Sequence, residues 1–223
     1  MKVLAVDTSL AACSAAIRID GVLAARRYTV PGTGHAEILL PMMEQVRSDC
    51  GLEYRELDLL AVTVGPGTFT GVRAGIAAIR GIALVTGTPA LALGTLHALA
   101  AGAVAGGIAS PDQAIFVAVD ARRDEVYFQA FGAGAVPVGE PSIGTLADVT
   151  ALIPHQALVI GSGAPLLAKI ANNERKLRAS PGSELPDAGI VAALAETLAR
   201  RPEFRVTEAP TPRYVRPPHV RPP

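Results

Sequence analysis

The order of predicted strands and helices in the first hundred residues is the feature that most restricts the fold of this chain. Alternating and apolar runs predict three strands at 2–8, 13–19 and 22–30. Asp20-Gly21 joins the last two strands, and this dipeptide is favoured in two-residue hairpin turns, so the three strands should be antiparallel. The remaining elements alternate between helix and strand and give the order βββαβαβα. They are helix 36–50, strand 57–64, helix 71–86, strand 90–93 and helix 95–104.

The second half of the chain repeats this pattern more weakly. Strands are predicted at 114–119 and 125–131 and, less clearly, before Ser142; helix 146–153, strand 157–161 and helices 165–171 and 188–200 follow, with a loop at 172–187. Three antiparallel strands followed by alternating helices and strands resemble a ribonuclease-H-like unit. Two such units in tandem resemble the α/β fold of actin, sugar kinases and heat-shock ATPases. We therefore expect subdomains at 1–106 and 107–212 and a Pro/Arg-rich tail at 213–223.

Composition narrows the function classes. Twenty Lys plus Arg balance twenty Asp plus Glu, so the chain has no net charge with which to attract a nucleic acid on its own. Cys13 and Cys50 form no Cys-x-x-Cys pair, which argues against a disulfide framework and a thiolate zinc site. The uncharged stretch 81–111 is interrupted at several glycines, so we predict a helix, a strand and a helix there instead of a membrane span. These features predict a cytoplasmic protein without a membrane partner.

The densest local signal is a strand that runs into a glycine-rich loop and then into a helix, Val62-Thr63-Val64-Gly65-Pro66-Gly67-Thr68-Phe69-Thr70-Gly71-Val72-Arg73. Glycines allow close backbone approach, and the N–H groups at a helix start can hold an anion. The glycine spacing and the absence of Lys-Ser or Lys-Thr exclude a Walker loop. The alternative is a tight strand-to-helix connection with Arg73 in a structural ion pair, which the residues alone favour.

At this point several segments resemble the TsaB (YeaZ) family. They are Asp7-Thr8-Ser9, His35-Ala36-Glu37-Ile38-Leu39-Leu40-Pro41, the loop from Gly65 to Arg73 with Gly75 after it, Asp120-Ala121-Arg122 leading to Glu125-Val126-Tyr127, and Pro212-Arg213-Tyr214-Val215-Arg216. The resemblance spans nearly the whole chain, although residues 132–187 contribute little. Members of this family are subunits of the bacterial machinery that makes threonylcarbamoyladenosine in tRNA.

The resemblance implies an actin-like fold that does not itself perform the chemistry. In that family the subunit pairs with the catalytic subunit TsaD through helices of its N-terminal half, the ATPase TsaE acts on the pair, and tRNA is reached through the complex. By position, the partner-binding residues would be His35, Glu37, Leu39, Leu40, Met42, Met43, Val46, Val72, Arg73, Ile76 and Ile79. A methionine-containing stripe is more often core, and this alternative stays open for each of them. Candidate anion or nucleotide contacts are Asp7, Thr8, Ser9, Gly65, Gly67, Thr68 and Gly71.

Two enzyme classes are the alternatives. A metallopeptidase is disfavoured because His35, His97, His155 and His219 are each more than fifty residues apart, so we predict no metal site and no catalytic residue. An actin-like ATPase or phosphotransferase would need a glycine soon after Asp7, and the chain has Leu10 and Ala11 there. A residual nucleotide turn at Gly161-Ser162-Gly163 is less expected than an ordinary connector.

We therefore expect no cofactor on the chain alone. ATP or ADP at the interface of the complex and a homodimer in the absence of a partner are left open. It is also left open whether Arg122, Arg123, Arg213, Arg216 and Arg221 help to steer tRNA. The stronger alternative is that they belong to a solvated surface and a flexible tail, although the part around Tyr214 could pack on the fold.

Overall fold

A computed structural model describes residues 1–31, 34–171, 178–179, 183–206 and 208–216, with the backbone alone at 178–179. Two five-stranded sheets organise these residues. The first sheet contains β1 (Lys2–Asp7), β2 (Cys13–Ile19), β3 (Val22–Thr29), β4 (Leu59–Thr63) and β5 (Ala90–Leu93), in the spatial order β3-β2-β1-β4-β5. β1 to β3 are antiparallel, whereas β4 and β5 run parallel to β1, because helical crossovers precede them.

Three helices accompany this sheet: α1 (His35–Asp49), α2 (Phe69–Thr86) and α3 (Thr95–Ala105). The predicted apolar stripe of α1 is buried together with the inner side of α2 and one face of the sheet. α2 begins after Thr68, whose side chain accepts a hydrogen bond from the Gly71 N–H, and it ends at Gly87, which has a left-handed backbone with φ +74°. The predicted order βββαβαβα is therefore confirmed for this half.

The second sheet repeats the topology of the first. It contains β6 (Ile115–Asp120), β7 (Glu125–Phe131), β8 (Pro137–Thr145), β9 (Leu158–Ile160) and β10 (Arg178–Ala179), in the order β10-β9-β6-β7-β8. Helices α4 (Leu146–Leu152), α5 (Ala164–Ile170) and α6 (Ala188–Ala199) separate and follow its later strands. β8 extends beyond the weak strand that we predicted before Ser142. The short strand β10 lies inside the segment that we predicted as a loop, most of which is outside the described residues.

Helix α6 lies in the first lobe in space, although its residues belong to the second half of the sequence. Although it follows the second sheet in sequence, α6 packs on the first sheet, where Val191, Ala192 and Ala195 share a core with strands β1 and β4. Its buried Glu196 accepts hydrogen bonds from Arg18 Nε (3.1 Å) on β2 and from Arg200 Nη2 (2.7 Å). In space, the first lobe therefore includes α6 in addition to the residues up to about 106 that we predicted.

The uncharged stretch 81–111 forms the end of α2, strand β5 and helix α3, as predicted. α2 is the one described helix whose length and apolar composition would allow it to cross a membrane, and 28% of it is buried inside the protein. A single helix of this kind is weak evidence for a membrane span, because helices that pack against a sheet also meet the criterion. The outer side of α2 carries Arg73 and Arg80, both exposed.

Candidate functional site

The carboxylate of Asp7 at the end of β1 is an internal group. Asp7 is fully buried, and its Oδ1 accepts hydrogen bonds from Ser9 Oγ (2.6 Å), the Ser9 N–H (3.3 Å) and Thr63 Oγ1. Burial raises the pKa of Asp7, and these hydrogen bonds only partly oppose the rise. Its Oδ2 is also buried, without a hydrogen-bond partner among the described residues. The end of β1 thus holds Asp7 inside the first lobe.

Leu10 fills the position that follows this strand end. Its side chain is 9% exposed and packs into the core of the second lobe, in a cluster that includes Val119 of β6 and Leu96 of α3. A turn that wraps a phosphate needs open space and free backbone N–H groups, which is why glycine suits such a turn. In this protein the Leu10 side chain lies after β1, where such a turn would be, and connects the two lobes. The sequence analysis did not predict this contact; an apolar residue in a turn is the signal that could have indicated it.

The glycine-rich loop between β4 and α2 packs against the same turn. The Thr68 N–H donates to the Ser9 carbonyl (2.8 Å), and Thr8 Oγ1 donates to the Gly71 carbonyl (2.7 Å). A Cβ atom on Gly67 would lie 2.2 Å from the Ser9 oxygen, and one on Gly71 would lie 2.0 Å from the Thr8 oxygen. These contacts explain the glycines as a close connection within the first lobe. An anion contact at Gly65, Gly67, Thr68 or Gly71 stays a prediction.

The matching turn of the second lobe, between β6 and β7, has an unusual backbone. Arg122, Arg123 and Asp124 have φ values of +64°, +58° and +58°, a left-handed conformation that costs non-glycine residues about 1 kcal/mol each. The Asp120 carboxylate accepts a hydrogen bond from the Arg122 N–H (2.7 Å) and lies 3.6 Å from the Arg122 guanidinium. One oxygen of the Asp120 carboxylate is therefore held by the backbone of its own turn, with the exposed Arg122 side chain beside the other.

A cleft of about 460 Å³ lies between the lobes. The turn after β1 and the turn between β6 and β7 both line this cleft. Its lining includes Leu10, His35, Thr68, Asp120, Arg122 and Ser162. His35, which we placed among the partner-binding residues, lies at this cleft, and its Nε2 is buried without a partner among the described residues. Acidic and basic side chains are mixed among the described residues of its walls, so these residues offer no concentrated positive charge to a triphosphate.

Most of the side chains predicted to bind a partner are instead part of the core. Seven of them are less than 9% exposed and pack against the first sheet; they are Leu39, Met42, Met43, Val46, Val72, Ile76 and Ile79. The apolar stripe covers the chain's own sheet, so a partner at these helices would meet the opposite side of each. Among the predicted residues, Glu37, Leu40 and Arg73 are exposed there. Partner binding by the predicted residues stays a prediction.

The outer faces of α1 and α2 form an apolar and charged surface, which we call the α1–α2 outer face. On α1 it exposes Leu40 (57% exposed) with the acidic Glu37 and Glu44, and on α2 it exposes Phe69 (62% exposed) and Leu84 (86% exposed) with the basic Arg73 and Arg80. Large exposed apolar side chains with charged neighbours are often found at protein interfaces. We did not predict Phe69, because the sequence motif could not tell which side of the helix start faces solvent.

His97 and His155 are not grouped with other possible metal ligands among the described residues. His97 stacks on Phe131 (ring centroids 5.8 Å apart), and burial lowers the pKa of its imidazole, whereas His155 is exposed. His219 lies outside the described residues. Within the described part of the chain, no three His, Cys, Asp or Glu side chains group in a way that could hold a metal ion.

Two tandem ribonuclease-H-like lobes around a cleft define a protein of the actin-like class. A solved polyphosphate/ATP-glucomannokinase from an Arthrobacter species shares this fold, with a TM-score of 0.51 over 90% of this chain and 99% of that one, at 14% identity. The YeaZ structure from Pseudomonas aeruginosa is much more similar: its TM-score is 0.83 at 30% identity, over 96% of this chain and 99% of that one.

Sequence comparison agrees with the structural one. The family model described as "TsaD: tRNA N6-adenosine threonylcarbamoyltransferase" matches residues 29–199. The tRNA threonylcarbamoyladenosine biosynthesis protein TsaB of Escherichia coli is 36% identical over 131 residues, which cover 59% of this chain and 55% of that protein. The chain belongs to the TsaB (YeaZ) family. The fold and the family that we predicted are thus confirmed.

Proposed function

We propose that this chain is a noncatalytic subunit that pairs with a TsaD-type catalytic subunit in the synthesis of threonylcarbamoyladenosine in tRNA. Membership of the TsaB (YeaZ) family supports the pathway. In this proposal the partner transfers the threonylcarbamoyl group to an adenosine, a TsaE-type ATPase acts on the pair, and tRNA is bound by the complex. The cytoplasmic location follows from this role.

The observation that carries the noncatalytic role is the Leu10 side chain. It comes from the turn after β1 and is inserted into the core of the second lobe, where a nucleotide-using relative needs room for phosphate. Asp7 beside it is buried and hydrogen-bonded within its own lobe, and Asp120 on the other side of the cleft is engaged by Arg122. At each of these two strand ends, one carboxylate oxygen is therefore held by hydrogen bonds within the protein.

The α1–α2 outer face supports the pairing role. It exposes large apolar side chains, Leu40, Phe69 and Leu84, on helices whose inner sides are firmly fixed in the core. Burial of such side chains against a partner contributes roughly 25 cal/mol for each Å² of apolar area removed from water. Self-association through the same face in the absence of a partner, and a nucleotide held where the two subunits meet, are part of this proposal and wait for tests.

The second candidate function is an enzyme that uses the cleft itself. The matching family model carries the name of the transferase, and the cleft of about 460 Å³ is a specific feature that favours this candidate. A working cleft would have to bind a nucleotide despite Leu10, and it would depend on Asp120.

The two candidates differ in what the isolated chain can do. We expect the purified chain neither to hydrolyse ATP nor to modify tRNA, as read by mass spectrometry of tRNA nucleosides. Addition of a TsaD-type protein should give a stable heterodimer by native mass spectrometry, and modification should require both proteins and a TsaE-type ATPase. ATP turnover or tRNA modification by the lone chain, lost in Asp120→Asn and kept in the surface control Asp112→Asn, would establish the enzyme instead.

A further inference from the structure

The C-terminal segment 208–216 runs across both lobes of the protein. The Arg213 N–H donates to the Val64 carbonyl (2.7 Å) at the end of β4, in the first lobe. Three residues later, Arg216 Nη2 donates to the Ala121 carbonyl (3.0 Å) and to the Glu125 carboxylate, both in the second lobe. This segment therefore has a defined position on the fold, as the sequence around Tyr214 suggested.

Between these two anchors, Tyr214 completes a stack on the first turn of α2. Its ring lies 6.2 Å from the Phe69 ring, at an interplanar angle of 27°. The Arg73 guanidinium lies 3.5 Å from the centroid of Phe69 and 5.6 Å from that of Tyr214. Two rings from distant parts of the sequence thus hold one guanidinium in place by cation–π contacts.

This stack is exposed and faces outward. Phe69 is 62% exposed, Tyr214 is 54% exposed, and Arg73 is exposed between them. Among the described residues, no carboxylate lies within salt-bridge distance of Arg73, so none of them forms the ion pair that we considered for it. A guanidinium between two aromatic rings, without an acidic partner among the described residues, has the composition of an interface hot spot, in which Arg and Tyr are enriched.

We propose that the C-terminal segment completes the partner surface, and that Tyr214 is a positioning residue that holds Arg73 ready for an acidic group of the TsaD-type subunit. This inference rests on the proposed pairing function. The commitment to that occupant rests on charge and continuity. The stack lies on α2, at one end of the α1–α2 outer face, and an acidic group of the partner would complement the exposed Arg73, which has no carboxylate partner among the described residues. Because the two rings restrict the guanidinium before binding, less side-chain entropy is lost when a partner binds it.

The experiment measures the affinity of the full chain for a TsaD-type protein by calorimetry or surface plasmon resonance. We expect Tyr214→Ala to weaken binding by about tenfold, and Tyr214→Phe, which keeps the ring, to bind within about twofold of the wild type. Tyr28→Ala is the matched control, because Tyr28 also lies under a guanidinium, that of Arg26 at 5.0 Å, but on strand β3. It should leave the affinity unchanged.

A double-mutant cycle separates positioning from a purely structural role. If Tyr214 acts through Arg73, the double variant Arg73→Ala/Tyr214→Ala should bind no more weakly than Arg73→Ala alone. Additive losses, an unchanged affinity in Tyr214→Ala, or equal losses in Tyr28→Ala would overturn the inference. A fall in melting temperature in Tyr214→Ala with the same affinity would likewise assign the stack to folding alone.

The failure of the proposed function gives a different result. If the wild-type chain itself does not bind the TsaD-type protein, the pairing proposal is wrong before any variant is made. If the wild type forms homodimers and Tyr214→Ala changes only their dissociation constant, the occupant of this surface is a second copy of the chain, which contradicts the inference while leaving the stack functional.

Discussion

Leu39 and Leu40 are neighbours on α1 with opposite surroundings, and substitution of each by alanine should give opposite results. Leu39 is 1% exposed and packs in the core of the first lobe, whereas Leu40 is 57% exposed on the α1–α2 outer face. Both substitutions remove the same atoms from the same helix and have the same effect on helix propensity. Any difference between them therefore reports the environment of the side chain.

The magnitudes follow from burial. Removal of a buried leucine side chain costs about 3–5 kcal/mol of unfolding free energy, which corresponds to a fall of roughly 6–20 °C in the melting temperature of a chain of this size. Leu40→Ala should change the unfolding free energy by less than about 0.5 kcal/mol. In the complex the order is reversed: burial of Leu40 against a partner is expected to contribute about 1–2 kcal/mol, or roughly 5- to 30-fold in the dissociation constant.

Two assays decide the comparison. Thermal unfolding of each isolated variant, followed by circular dichroism, gives the stability, and a titration with the TsaD-type protein gives the affinity. The reasoning is refuted if Leu40→Ala destabilises the isolated chain as much as Leu39→Ala does, or if a well-folded Leu40→Ala binds the partner with wild-type affinity.

Three further predictions concern stability. Gly71→Ala should disrupt the loop before α2, because its Cβ would lie 2.0 Å from a carbonyl oxygen, whereas Gly81→Ala, with open space around it, should stabilise the helix by about 0.5–1 kcal/mol in urea denaturation. Burial alone would raise the pKa of Glu196, but hydrogen bonds from two arginines outweigh burial and lower the pKa. The contribution of Glu196 to the stability of the fold is therefore present above the ordinary carboxyl pKa and is lost as the pH falls through the lower folded value. The difference in melting temperature between the wild type and Glu196→Gln should shrink in acid. Leu10→Ala should cost about 2–4 kcal/mol, and a loss below about 0.5 kcal/mol would show that Leu10 does not join the lobes.

The element order was predictable because it depends on local signals. The Asp20-Gly21 turn and the alternating strands fix the meander of the first lobe, and the apolar stripe of α1 is visible as a spacing of three and four residues. The position of α6 was not predictable in this way. Its sequence indicates an apolar helix, but the choice between the two sheets depends on long-range packing, which periodicity does not encode.

The sequence predicts the candidate site as a set of motifs, but it does not show which surfaces the side chains of these motifs contact. The stripe of Leu39 and Met43 has the same pattern whether a helix faces its own sheet or a partner, so the sequence could not decide between them. The role of Leu10 depends on contact with a second lobe a hundred residues away, and the stack of Phe69 with Tyr214 joins residues that are even further apart in sequence. Such contacts appear only when the chain is folded.

Hydrogen–deuterium exchange of the full chain tests the central claim most directly, with ATP and Mg²⁺ added in one sample and a TsaD-type protein in another. We predict that the nucleotide leaves exchange unchanged in peptides that contain the turn after β1 and the turn between β6 and β7, and that the partner slows exchange in peptides of α1, α2 and 208–216. Slower exchange at the two turns with nucleotide alone, together with unchanged α1 and α2 in the presence of the partner, would contradict the account.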